Sequence, residues 1–94
     1  MIPAGARPKL AARARLREDR LSGRTMLLYP ERGLALNATA AAIVRLCDDR
    51  HTVTEIVQAL SADRPEARAT IAADVTALLE ALVARGLVTW TATS

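Results

Sequence analysis

The stretch LLYPERGLALNATAAAIVRLCD, residues 27–48, predicts a strand, a tight turn, a second strand and then a helix. Leu27, Leu28 and Tyr29 run into Pro30, a residue that cannot donate to a ladder and so closes a strand. Gly33 is available for positive φ in the turn. Leu34 and Leu36 alternate onto one face of the strand after the turn, LALN at 34–37, the third of the chain. Asn37 then offers a side-chain oxygen to the orphan amides of a helix N-terminus. The helix is expected from 38 to about 48, with Ile43, Leu46 and Cys47 inward.

Upstream, ARLREDR at 14–20 alternates weakly and reads as a first strand, Ser22-Gly23 as a turn, and TMLLYP at 25–30 as the second strand. Residues 1–10 hold two prolines and a glycine and read as a mobile tail. Downstream, Thr52 and Glu55 form a capping box at the start of a helix over about 53–62, with Val53, Ile56, Val57 and Leu60 inward. Pro65 suits the first turn of a third helix over about 65–85, which Gly86 ends. LVTW at 87–90 either makes a short closing strand or packs back on the core, and 91–94 is a C-terminal tail. The expected fold class is α+β and winged-helix-turn-helix-like: a three-stranded antiparallel sheet followed by three helices, in one domain over 11–90.

Composition excludes several classes. With Tyr29 and Trp90 as the only aromatics, the core is built from Leu, Ile, Val and Ala. A single cysteine permits no internal disulfide. No apolar run approaches the roughly 20 residues of a membrane span, and the basic start has no apolar core of a signal peptide, so a soluble cytoplasmic domain is expected. A monomer is the expected assembly state. Residues 1–24 carry seven bases and two acids, net +5, against net −2 for the remainder. That basic segment is expected to be either a solvated, solubilising tail or a dock for the acidic surface of a partner enzyme.

Catalytic chemistry has few candidates. His51 is a lone loop histidine and Cys47 lies on an apolar face, where a thiol behaves as a small hydrophobe. One Cys and one His cannot make a tetrahedral zinc site, Asp48-Asp49 suit a turn, and no glycine-rich phosphate loop occurs. The expectation is a non-enzyme with no cofactor of its own. In the third helix, Ile71, Val75, Leu78, Leu79, Leu82 and Val83 share a core stripe. Thr70, Ala73, Ala77, Ala81 and Ala84 form a small-residue stripe that is either solvated or lets another backbone approach closely. A DNA-binding winged helix remains an alternative, although this helix offers only Arg68 and Arg85 toward bases and phosphates.

The quoted stretch, followed by TVTEIVQAL and DVTALLEALVARGLV, resembles the PqqD family of peptide chaperones in pyrroloquinoline quinone (PQQ) biosynthesis. The resemblance covers about residues 8–89. Its marks are Pro30-Glu31, Gly33, Leu36-Asn37, Thr39-Ala40, Ile43, Leu46-Cys47-Asp48, Thr52, Glu55-Ile56, Asp74-Val75, Leu78-Leu79, Leu82 and Gly86-Leu87. One departure is the loop LSADRPEAR, which lacks a tyrosine that many members carry before the third helix. The resemblance implies a winged-helix-like recognition element that binds the precursor peptide PqqA and presents it to the radical S-adenosylmethionine enzyme PqqE, whose clusters belong to that partner. It further implies strand addition beside the third strand and against the third helix. The expected peptide-binding residues are Gly33, Leu34, Ala35, Leu36, Thr70, Ala73, Asp74, Ala77, Leu78, Ala81 and Arg85. A recognition element of another modified-peptide pathway is the nearest alternative.

Overall fold

A computed structural model describes residues 2–30 and 32–92. In chain order the elements are β1 (Ala6–Leu10), β2 (Arg15–Glu18), β3 (Thr25–Tyr29), β4 (Arg32–Leu36), α1 (Ala38–Arg45), α2 (Val53–Ser61), a 3₁₀ turn (Pro65–Ala67), α3 (Arg68–Ala84) and β5 (Val88–Ala92). The order β2-β3-β4 makes the antiparallel three-stranded sheet, and the three helices follow it, as the sequence predicts.

Local chemistry explains the boundaries. Gly23 turns the β2–β3 hairpin at φ +72°. Asn37 Oδ1 accepts from the Ala40 amide at 2.7 Å and opens α1. The Thr52 hydroxyl accepts from the Glu55 amide at 3.1 Å while Glu55 Oε1 accepts from the Thr52 amide at 2.8 Å, a complete capping box. Gly86, at φ +72°, closes α3 with two reversed bonds: its amide to the Val83 carbonyl and the Leu87 amide to the Leu82 carbonyl, each 2.9 Å.

Three expectations are corrected. Residues 1–10 are not a free tail. Ala6–Leu10 is a strand paired with β5 in the register Ala6–Ala92 to Leu10–Val88, and Ile2, Ala6 and Pro8 are buried. Thr91 and Ala92, assigned to a C-terminal tail, complete that ribbon, while Thr93 and Ser94 lie outside the described residues, as do Met1 and Glu31. Second, α1 ends at Arg45 and not near 48. The Leu10 amide bonds to the Cys47 carbonyl, the Asp49 amide to the Pro8 carbonyl, and Lys9 bridges Asp48, so β1 draws the chain out of the helix. Third, Gly33 is not a turn glycine. It sits in β4 opposite Leu28, where a Cβ would meet Leu28 Cδ2 at 3.0 Å and Met26 Cε at 3.3 Å. Glycine is there for space.

The core has two adjoining parts. One joins Ile2, Ala6, Ile43, Cys47, Ile56, Val75 and Leu79; the other joins Leu27, Leu36, Ala41, Val44, Leu82, Leu87 and Val88. Leu78 packs against both, so α3 is the spine of the fold. α1 and α3 pack on the inner face of the β2–β3–β4 sheet, the face of Leu16, Leu27, Leu34 and Leu36, and α2 packs on α3, α1 and β1.

Candidate peptide-binding site

The three-stranded sheet has two edges, and their side chains differ. β2 presents Arg15, Arg17 and Glu18, and charge on an edge opposes pairing with a further strand. β4 begins with the exposed Arg32 and then presents Gly33, Leu34, Ala35 and Leu36, small or apolar. Only β4 is an inviting rail for another backbone.

The register also decides which backbone groups face outward. Tyr29 pairs with Arg32 across a two-residue connection, which makes this a bonded pair. Bonded and non-bonded pairs alternate along an antiparallel ladder. Leu34 and Leu36 therefore direct their amides and carbonyls to Leu27 and Thr25 of β3. Gly33 and Ala35 direct theirs away from the sheet, and both residues are exposed. Two donors and two acceptors, spaced for one added strand, stand on this edge.

α3 carries the rest of the expected site. Val75, Leu79 and Leu82 face the core, and Ile71, Leu78 and Val83 are half-buried at its margins. Thr70, Ala73, Asp74, Ala77, Ala81, Ala84 and Arg85 are all exposed. At about 100° per residue, Asp74, Ala81 and Arg85 lie within about 60° of Leu78, the half-buried side chain that joins the same cluster as Leu34 and Leu36. Thr70 follows at about 80°. Ala77 and Ala73 turn about 100° and 140° away, onto the outer crest. The opposite flank, with Thr76 and Glu80, is covered by the N-terminal segment: the Ile2 amide donates to Glu80 Oε2 at 3.2 Å. Leu34, Leu36 and Leu78 thus belong to one apolar cluster, Asp74, Ala81 and Arg85 lie on the same side of α3 as Leu78, and Ala73 and Ala77 are turned away from it.

The other singled-out groups are structural. Cys47 is buried, its Sγ is 3.5 Å from the Ile43 carbonyl, and burial, helped by the Asp48 charge, pushes its thiol up to about 12. A thiol so held is a neutral hydrophobe. His51 Nδ1 lies 2.9 Å from Asp48 Oδ1. Desolvation alone would raise Asp48, but bonds from the His51 ring and the Arg50 and His51 amides outweigh it and hold the carboxyl below its ordinary range. Asp48 therefore anchors the turn after α1. Among the described residues no three metal-ligating side chains cluster, and no helix is long and apolar enough to cross a membrane.

Comparison with known proteins agrees with this architecture. Residues 24–88 match the profile of the family described as coenzyme PQQ synthesis protein D. The chain belongs to the PqqD family. A relative described as a PqqA binding protein, from Rhodopseudomonas palustris strain HaA2, is 39% identical over 84 residues, covering 89% of this chain and 82% of the relative. The bifunctional coenzyme PQQ synthesis protein C/D of Methylorubrum extorquens is 37% identical over 75 residues, covering 80% of this chain and 20% of that protein. The solution structure of the PqqD truncation of Methylobacterium extorquens PqqCD is similar with a TM-score of 0.73, 34% identity and 87% of each chain covered. That truncation is described as a functional, stand-alone recognition element for ribosomally synthesized and post-translationally modified peptides.

Proposed function

We propose that this chain is a peptide chaperone of PQQ biosynthesis and not an enzyme: it captures the precursor peptide PqqA by strand addition along β4 and presents it to the radical S-adenosylmethionine enzyme PqqE. The observation that carries the reading is the edge of β4, where Gly33 and Ala35 hold unpaired backbone groups beside the Leu34, Leu36 and Leu78 cluster. Strand addition takes its affinity from such groups and its specificity from pockets that take alternate side chains. The peptide's inward residues meet Leu34, Leu36 and Leu78, and Asp74 and Arg85 select charge at the margin. Relatives described as PqqA binding proteins support the choice of ligand.

Magnitudes fit a working chaperone. Four backbone bonds at about 1 kcal/mol net each roughly offset the ordering of the peptide, so apolar burial in the groove supplies the surplus. Burial of about 400 Å² contributes roughly 10 kcal/mol before association entropy, which is compatible with micromolar to nanomolar binding. A DNA-binding role fits less well, because α3 exposes Arg68 at its start and Arg85 at its end, with Thr70, Ala73, Asp74, Ala77 and Ala81 between them and no Lys, Asn or Gln to read bases. Titration calorimetry with the precursor peptide tests the reading. Saturable 1:1 binding at micromolar affinity or better is expected; no heat and no complex at 100 μM peptide would overturn it.

A further inference from the structure

The net charge of the chain is concentrated in one place. Residues 13–32 hold six arginines against Glu18, Asp19 and Glu31, net +3, while the rest of the chain balances seven bases with seven acids. This segment is the β2–β3 hairpin with its flanks, and the sheet shows where the charges stand.

On the outer face of the sheet, away from the helices, Arg15, Leu28 and Gly33 form one cross-strand row and Arg17, Met26 and Ala35 the next. Met26 and Leu28 are half-buried and lean over Gly33, and the arginines are exposed. Two shallow depressions meet at Leu28, one bordered by Arg17, Glu18, Asp19 and Arg20, the other by Arg13, Arg15 and Arg32. The guanidinium groups of Arg15, Arg20 and Arg32 take no part in any hydrogen bond or ion pair among the described residues. Glu18 and Asp19 line the first depression together with Arg17 and Arg20, and Asp19 also accepts from the Ser22 hydroxyl and the Leu21 amide. The second depression is lined by Arg13, Arg15 and Arg32 and, among the described residues, by no acid, so the excess of positive charge lies on that side.

We infer that this outer face is a docking surface for an acidic face of a second protein, the enzyme that receives the presented peptide. An apolar strip bordered along β2 by Arg15 and Arg17 is suited to a protein partner, since Met26 and Leu28 bury apolar area while planar guanidinium forks bind carboxylates in pairs. A phosphate backbone would use the arginines and leave the strip wet. The position is also apt. The face runs continuously to Gly33 and Ala35, so a partner seated on it lies alongside the added strand without obstructing Leu78 or Ala81.

This inference rests on the peptide-chaperone reading, and one set of experiments separates the two. Full-length protein with Arg15→Glu and Arg17→Glu is compared with wild type, with the neutral pair Arg15→Gln and Arg17→Gln, and with the remote control Arg50→Glu and Arg64→Glu, after circular dichroism verifies folding. Affinity for the precursor peptide and, in its presence, for the radical S-adenosylmethionine enzyme are measured at 50 and 300 mM NaCl. Expected are peptide affinity within twofold of wild type and enzyme affinity at least tenfold weaker for the Glu pair, intermediate for the Gln pair, and unchanged for the control. Wild-type enzyme affinity should fall with salt more steeply than that of the Glu pair. Unchanged enzyme affinity in the Glu pair overturns the inference while leaving peptide capture standing; peptide affinity lost in step assigns the face to the peptide and overturns it as well. Duplex DNA bound at 150 mM salt by wild type and not by the Glu pair would overturn it in favour of nucleic acid.

Discussion

Ala35→Pro tests the edge of β4 through the backbone alone. The register directs the Ala35 amide away from β3, so proline there deletes an outward donor without removing a bond of the β3–β4 ladder. The Ala35 side chain is exposed, so no core packing is lost. In an added-strand complex the peptide carbonyl opposite Ala35 would be left unsatisfied, at a cost of about 1–3 kcal/mol. At 1.4 kcal/mol per tenfold, that corresponds to a loss in affinity of roughly 5- to 150-fold. Leu34→Pro is the contrasting variant. It removes a ladder donor and an inward leucine, and should destabilise the protein by about 2–5 kcal/mol. Calorimetric titration with the peptide and urea unfolding, run on both variants, give the comparison. Ala35→Pro with unchanged unfolding and affinity within twofold of wild type would refute the argument that the peptide pairs with this edge.

Other consequences are as direct. Ala81→Trp, beside Leu78, should weaken peptide binding at least tenfold, whereas Ala77→Trp, on the outer crest of α3, should change it less than threefold; calorimetry that reverses the order moves the groove to the other flank. Deleting residues 2–10 should cost more than about 3 kcal/mol in urea unfolding, because Ile2, Ala6 and Pro8 leave the core and β5 loses its partner; a truncated chain as stable as the whole would contradict the β1–β5 ribbon. The Cys47 thiol has a folded pKa pushed up to about 12 by burial. The unfolded chain therefore loses its proton first, near pH 8.5, and stability should decline as pH rises from there toward 12. Iodoacetamide at pH 8.5 should label the native protein far more slowly than the urea-unfolded one, and equal rates would show an accessible thiolate.

Much of this architecture was legible where the determinants are local. Asn37, the Thr52 and Glu55 pair, and Gly86 each act within one helical turn, and each performs the predicted capping bond. The core stripe of α3 follows from helical spacing, with Val75, Leu79 and Leu82 fully inward. The β1–β5 ribbon was missed because its pairing spans about 80 residues, and two prolines and a glycine obscured the alternation of Ala6, Pro8 and Leu10 with Arg7 and Lys9. The early end of α1 has the same cause, since β1 competes for the backbone at Cys47 and Asp49. Gly33 was misread for a different reason. A glycine near a proline signals a turn, whereas its use here is to admit the side chains of Leu28 and Met26, which only the strand register reveals. The same register separates outward amides at Gly33 and Ala35 from inward ones at Leu34 and Leu36. The helical rotation likewise divides the alanine stripe between the groove and the crest.

The most direct measurement is an NMR titration of isotope-labelled protein with the precursor peptide, followed by hydrogen exchange of the complex. Strand addition along β4 predicts shifts at Gly33, Leu34, Ala35 and Leu36 and at Asp74, Leu78, Ala81 and Arg85. It also predicts amides of Gly33 and Ala35 that exchange quickly in the free protein and become protected in the complex, while those of Leu34 and Leu36 are protected throughout. Shifts centred on the β2 edge, or Gly33 and Ala35 amides that stay unprotected at saturation, would contradict it.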